Sequence, residues 1–194
     1  MTGQWLTPAD GTRWYYDSGA LSLDFAHTGT LDPTAGTEQL QTPADLGAWL
    51  AERADRLDPT SNERELADAL HLRDAISRIA HGHAHHRTPD ADDIDTINLY
   101  AATPDIPPAL AGGRRQAGAG RLRVGQALST IARDAVTVFT RETDEPRIRE
   151  CAADDCQLVY VDESRTGSRR WCSMQRCGNR AKVRAHRARA AVRA

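Results

Sequence analysis

Apolar positions along the first 140 residues follow two periods. Leu21, Leu23 and Phe25 alternate with smaller or polar residues, which predicts a half-buried strand, and Trp14-Tyr15-Tyr16 predicts a preceding strand joined to it through Asp17-Ser18-Gly19. The period then becomes helical. Thr42-Pro43 offers an N-cap with proline at the first helical position, and the spacing predicts a helix to about Leu57 with Leu46, Trp49 and Leu50 inward and Asp58-Pro59 as its stop. Thr60 with Glu63 suggests a capping box for a second helix to about Ala80, on which Leu66, Leu70, Arg73, Ile76 and Ile79 sit close to helical spacing. Thr88-Pro89 opens a third, with Ile94 and Ile97 as its ridge, ended by Thr103-Pro104-Asp105-Ile106-Pro107-Pro108. The Gly/Arg-rich stretch 112–125 reads as irregular with short extended segments. A fourth helix, about Gln126 to Thr140, is the most apolar (Leu128, Ile131, Ala132, Ala135, Val136, Phe139) and is the expected central core helix, followed by a linker from Glu142 to Pro146.

The C-terminal pattern is different. Gln157 to Val161 is a short β-rich run, Asp162 to Ser168 is turn chemistry, and Arg169-Arg170-Trp171 is expected as the returning strand of a hairpin. Ser173 is a good N-cap for a helix opening at Met174. That register makes Cys172 the N′ residue and Cys177 the N4 residue, the two positions that touch in a hydrophobic staple. Further along, Met174, Ala181, Ala185, Ala188 and Val192 form a narrow apolar stripe expected to face inward.

Composition narrows the class. With 194 residues, 40% hydrophobic, 27% charged and only 5% aromatic, the chain suits one ordinary domain plus a small appendage, its core filled by aliphatic and alanine side chains. No window approaches the roughly 20 apolar residues of a membrane helix, and the first residues lack the basic-then-apolar order of a secretory signal. The expectation is a cytoplasmic protein without a membrane partner. The net charge of −2 conceals a sharp split: residues 164–194 hold nine Arg and Lys182 with no acid, a charge of +10, while 15 Arg against 27 acids leave residues 1–163 at −12. A basic end of this kind usually meets a polyanion.

All four cysteines fall in the same end, spaced C-x4-C-x15-C-x4-C: Cys151, Cys156, Cys172 and Cys177. Without an export signal disulfides are disfavoured, and two cysteine pairs around a short spacer read as a tetrahedral zinc site; two adventitious pairs or a redox switch are the competing reading. Knuckle, hairpin, knuckle and helix describe a treble-clef-like zinc finger, too small to hold together without metal. Arg176, Arg180, Arg184 and Arg187 line one flank of its helix, and Lys182, Arg189 and Arg193 the other. With Arg169 and Arg170 they form a basic collar, the footprint of nucleic-acid binding; the competing reading is a solvated helix face, which normally mixes signs, whereas this one carries no acid.

The run Arg170-Trp171-Cys172-Ser173-Met174-Gln175-Arg176-Cys177-Gly178-Asn179-Arg180-Ala181-Lys182 closely resembles the CGNR zinc finger, whose tetrapeptide stands here at 177–180. The first half agrees with it as well, from Arg149-Glu150-Cys151 through Cys156 to Tyr160-Val161-Asp162 and Ser164-Arg165. The resemblance covers about residues 147–190 and implies that the four cysteines bind one zinc and that the finger binds DNA in a bacterial transcription regulator. Such fingers usually follow an ABATE domain, described as a stress-induced transcription regulator. Leu21 to Thr28 looks like the opening motif of that domain, which typically ends in Asn-Thr where this chain has His27-Thr28. The resemblance points to Asp24, His27 and Thr28 as ligand-binding candidates.

Two further constellations are notable. His81-Gly82-His83-Ala84-His85-His86 places imidazoles four apart, a possible metal site but more simply the end of a helix and its loop. Asp90, Asp92, Asp93 and Asp95 lack the Gly and Glu of a calcium loop and fit the first turn of a helix. No phosphate loop, nucleophile elbow or dinucleotide fingerprint is present, and Asp24 and His27 would point to opposite faces of a strand, so no enzyme is expected.

The sequence therefore predicts an α+β chain: a mainly helical N-terminal domain with a small β-sheet over 1–142, a sensor or ligand-binding domain by its resemblance to ABATE, and a treble-clef-like finger over 147–194. The function expected is a transcription regulator binding DNA through a zinc-loaded finger, with a small-molecule effector in the N-terminal domain and a homodimer on paired half-sites. The alternatives are a protein- or RNA-interaction module, or an enzyme acting on a small molecule.

Overall fold

The computed structural model describes residues 2–7, 11, 13–29, 38–54, 56–104, 109–111, 113–116, 121–141 and 147–192. Two strands open the chain, β1 (Gln4–Leu6) and β2 (Trp14–Tyr16), paired antiparallel with Trp5 opposite Tyr15. Helices α1 (Leu21–Ala26), α2 (Pro43–Ala51), α3 (Glu63–Ala84) and α4 (Ala91–Ala101) follow. The antiparallel pair β3 (Ala109–Ala111) and β4 (Arg114–Gln116) precedes α5 (Val124–Phe139). The C-terminal part consists of the antiparallel pair β5 (Ile148–Glu150) and β6 (Val159–Val161), a π-helical turn (Met174–Gly178) and α6 (Asn179–Val192). The α+β class expected from the sequence is what the chain adopts.

Helices α3 and α5 carry the main core. Leu72, Ala75 and Ile76 of α3 and Leu128, Ile131, Ala132 and Ala135 of α5 are buried, with Phe25, Leu46 and Trp49 packed among them. Asn62 and Glu65 form the capping box of α3, so the helix starts two residues later than the Thr60 reading places it, and it runs on to Ala84 rather than Ala80. The Thr42 cap with Pro43 is as expected, but α2 stops at Ala51 instead of Leu57. Its continuation is diverted because Arg56 takes a left-handed conformation and Leu57 bridges to Leu122, burying Leu57 against α5's approach rather than along a helix face. In α4, Ile97 is buried, whereas Ile94 is 42% exposed and is not part of a ridge.

The largest correction concerns Leu21–Phe25, which is the helix α1 and not a strand. Every residue from Ser22 to Ala26 is buried, so alternation of larger and smaller side chains carries no information about period here. Gly19, at φ +81°, turns the chain into α1, and a Cβ there would lie 3.3 Å from Val161. The second correction is the partner of β6. It pairs with β5, across the first cysteine knuckle, and not with residues 169–171, which are held instead by single hydrogen bonds such as Ala152 N to Arg170 O (2.9 Å).

The linker reading at Glu142–Pro146 lies outside the described residues. What the structure shows is that the C-terminal part packs directly on the helical part. Ala20 and Leu23 of the α1 region and Ala80 of α3 form one buried cluster with Ile148, Val159 and Val161. The Tyr16 hydroxyl donates to Val159 O (2.5 Å), and Val161 N donates to Ser18 O (2.8 Å).

Candidate metal centre and nucleic-acid interface

Four separate pieces of local structure bring the cysteines together. Cys151 follows β5, Cys156 closes a turn in which its N–H donates to Ala153 O (2.9 Å), Cys172 precedes the Ser173 cap, and Cys177 lies in the π-helical turn. The Ser173 hydroxyl accepts from Gln175 N (3.1 Å), as the capping residue predicted from sequence should. The staple positions do meet: the Cys172 and Cys177 sulfurs are 3.5 Å apart. Cys156 and Cys172 sulfurs are 3.8 Å apart, and all four sulfurs lie within 4.8 Å of one another.

That geometry fits a tetrahedral metal. Zinc–sulfur bonds of about 2.3 Å at tetrahedral angles set the sulfurs about 3.8 Å apart. The sulfurs are also provided with donors suited to thiolates. Cys172 N–H points at Cys151 Sγ (3.4 Å), and an Arg180 Nη donates to Cys177 Sγ (3.2 Å). Hydrogen bonds from the Cys156 and Cys172 thiols draw the Cys151 pKa down, and the contact with Cys151 pushes Cys156 up. Cys172 is likewise pushed up by its contacts with Cys151 and Cys156. One thiolate thus opposes the next, and four can coexist at these distances only around a cation. The four-cysteine cluster and the finger family together indicate a metal ion.

The rest of the Cys-Gly-Asn-Arg tetrapeptide serves this centre. A Cβ on Gly178 would sit 2.7 Å from the Met174 sulfur and 3.3 Å from Trp171, so a larger residue would displace the methionine and crowd the indole. Asn179 Nδ2 donates to Gln175 O (3.4 Å). Arg180 grips Asp155 of the first knuckle through both terminal nitrogens (2.8 and 3.1 Å) as well as the Cys177 sulfur, tying the two knuckles together.

The sequence-predicted basic collar divides into two groups. Arg169 is committed inward: its guanidinium stacks 3.9 Å over the Tyr160 ring and donates to Cys172 O (2.6 Å), Trp171 O (3.1 Å) and Asp17 O (3.1 Å). Arg180 has the knuckle role just described, Arg184 reaches the same Asp155 at 3.5 Å, and Arg176 lies over the Trp14 ring. Arg170 stacks on Trp171 from an exposed position. Beyond Ala181 the helix α6 stands out from the finger, with Lys182, Arg184, Arg187 and Arg189 all exposed. No described acid pairs with Lys182, Arg187 or Arg189. Arg193 and the Val192 side chain lie outside the described residues. The inward apolar stripe is a correction: Ala185 and Ala188 are exposed, and Met174 is 51% exposed. Alanine presents too little apolar surface to pull a helix this basic onto the finger.

Asp24, His27 and Thr28 are brought together on α1 and its end, but all are buried and each is bonded within the chain. Asp24 accepts from Gly3 N and from Ser18 Oγ (2.7 Å). Burial raises its pKa, a shift only partly offset by the Ser18 and Gly3 hydrogen bonds. His27 Nε2 accepts from Val159 N (3.0 Å), and burial lowers its pKa to about 4. Thr28 Oγ1 donates to Phe25 O (2.8 Å). In the structure these residues fasten β1 and β6 to α1.

The histidine cluster resolves differently again. His81 Nδ1 and His85 Nε2, one turn apart on α3 and its cap, both contact Glu150 Oε2 (3.1 and 2.8 Å), joining the helix to β5. Among the described residues only the four cysteines form a metal-ligating group. Sequence reasoning placed Asp162 in a turn but gave it no role at the site; it is buried after β6 and accepts from Ser164 N (3.0 Å), Ser164 Oγ (2.5 Å) and Arg169 N (3.0 Å). An aspartate followed by serine two residues on is a recognisable turn signal. Among the described residues, no helix is long and apolar enough to cross a membrane.

These features define a helical module with a four-cysteine finger docked on it. Residues 19–142 match the ABATE family, described as "Putative stress-induced transcription regulator", and residues 147–190 match the CGNR zinc finger. The first match spans well over half of the chain, which therefore belongs to the ABATE family and carries a CGNR zinc finger after it. No curated protein matches the chain.

Proposed function

We propose that this chain is a transcription regulator that binds DNA through α6 and Arg170, with zinc in the four-cysteine site. The observation that carries this reading is the exposed, acid-free arm: among the described residues every side chain given from Lys182 onward is exposed, and of Lys182, Arg184, Arg187 and Arg189, Arg184 alone reaches back to an acid, Asp155 at 3.5 Å. Uniform positive charge on an isolated helix is unfavourable by itself, and a phosphate backbone removes that repulsion. Arg169 and Arg180 would act on the inside, holding the turn and the knuckles from which the arm departs. The −12 balance of residues 1–163 disfavours indiscriminate contact with DNA. One arm this short covers few base pairs, so binding as a homodimer on paired half-sites is part of the proposal. A cytoplasmic location and a non-enzymatic role accord with it.

The test is metal content by mass spectrometry together with fluorescence-polarisation binding to random duplex DNA at two salt concentrations. The expected result is one zinc per chain and an affinity whose logarithm falls by about 0.9 per neutralised phosphate for each decade of salt, lost in Cys172→Ser. Zinc with no DNA binding would transfer the arm to a protein or RNA partner, and RNA preference in the same assay would identify the latter.

A further inference from the structure

We infer that the cleft between α1, α2 and α5 binds a small carboxylate with an apolar body, and that Arg53 receives the carboxylate. The cleft measures about 220 Å³ and is walled by Leu21, Trp49, Leu122, Ala127 and Ile131. Drug-sized ligands occupy roughly 300–1,000 Å³, so a single aromatic ring or a short aliphatic chain is the scale that fits.

Arg53 is what gives this apolar cleft a chemical preference. Its side chain is only 7% exposed, and its guanidinium lies 3.9 Å over the Trp49 ring, which fixes the plane of the fork. The bonds it makes among the described residues leave donors over. Nη1 reaches Trp49 O (3.0 Å) and Glu52 Oε2 (3.2 Å), and Nη2 reaches Gly3 O at 3.4 Å, whereas Nε is buried without a partner. Of five N–H donors, the Nε–H, which is closed off from solvent, and one on Nη2 remain, and a small shift of the side chain would present both to a carboxylate in a two-pronged contact. Nor is the charge well compensated: Glu52 is 76% exposed, and Asp24 spends its oxygens on Ser18 and Gly3. A buried cation in an apolar wall with unused donors is costly unless an anion completes it. A neutral ligand would fill the space but leave those donors as they are.

The position of the cleft also connects it to the finger. Leu21 lines it, while the next turn of the same short helix, through Leu23 and His27, presses on Val159 and Val161. A ligand that moves α1 therefore acts on β6 directly. This coupling, unlike the binding itself, rests on the DNA-binding reading above.

The experiment is isothermal titration of the zinc-loaded full chain with phenylacetate and hexanoate, each compared with its neutral amide, followed by DNA affinity with and without the acid. Saturable binding of at least one acid is expected, at least about tenfold tighter than its amide and weakened at least about tenfold in Arg53→Gln. Thr130→Phe, at an exposed position on the rim, should block the cleft without disturbing the core. No saturable heat with either acid at 10-millimolar order, roughly the weakest useful affinity, would overturn the site, as would equal binding of acid and amide or binding unchanged in both variants. Loss of the site with DNA binding intact leaves the regulator reading standing. Acid binding without DNA binding leaves the site standing and removes the coupling.

Discussion

The helical module and the finger solve the same problem with different materials. In the module, α3 and α5 bury Leu72, Ile76, Leu128 and Ile131 in one aliphatic cluster. The finger has few apolar side chains, and its centre is sulfur: Cys151, Cys172 and Cys177 cluster with Tyr160 and with Trp14 and Tyr16, which are lent by the N-terminal hairpin. The contrast shows that the finger is not a self-contained bead. A metal on the four cysteines would supply its cohesion, and the N-terminal hairpin supplies part of its core.

The strongest challenge to that picture is removal of the metal. Structural zinc contributes roughly 10–16 kcal/mol of apparent binding energy in isolated fingers. Chelation, or Cys172→Ser, should therefore unfold the finger and, because Val159 and Val161 are packed on α1, lower the melting temperature of the helical module with it. Calorimetry reads this directly, and a module that melts as before would show the two regions to be independent.

A cut in the other core should behave as an ordinary cavity. Leu72→Ala is expected to cost about 2–5 kcal/mol in urea unfolding while the bound metal stays at its wild-type stoichiometry. Loss of metal at low urea would mean that the finger cannot hold its ligands without an intact module.

The joint between the regions should be sensitive to acid. Burial depresses the His27 pKa to about 4, below its ordinary 6.5. As pH falls below about 6.5 the unfolded chain takes up a proton that the folded chain refuses, so stability is full above that pH and declines by about 3 kcal/mol toward pH 4. Asp24 acts with the opposite sign, because its raised pKa favours the folded state as pH falls. Urea unfolding of His27→Asn between pH 7 and 4.5 isolates the histidine: the asparagine can still accept from Val159 N, and the acid-dependent loss should shrink.

Tyr16→Phe sharpens the comparison most gently. It removes the hydroxyl that donates to Val159 O, and a loss of about 1 kcal/mol is expected in the same unfolding assay. No loss would mean that the hairpin contributes to the finger through packing alone.

The finger was legible from sequence because its chemistry is local. Spacing alone placed four cysteines in one site, and the Ser173 cap fixed which two would meet across the turn. The charge split was equally plain, since an acid-free run of 31 residues from Ser164 needs no fold to be recognised. The long helices were readable wherever one face meets solvent and the other does not, as in α5.

Tertiary structure decided the remainder. The helix Leu21–Ala26 escaped the sequence because Ser22 to Ala26 are all buried, where hydrophobic period loses its meaning. Ile148–Glu150 rather than Arg169–Trp171 pairs with β6 because the first knuckle folds back at Cys151, a choice set by where the sulfurs must converge. Likewise Arg169, Arg180 and Arg187 are the same residue in sequence, yet the first holds a turn, the second binds two knuckles and the third stands in solvent. Residue type and spacing determined the metal chemistry and the sign of the surface. Which guanidinium has a partner, and which donors of Arg53 are left over, depend on contacts between residues far apart in the chain.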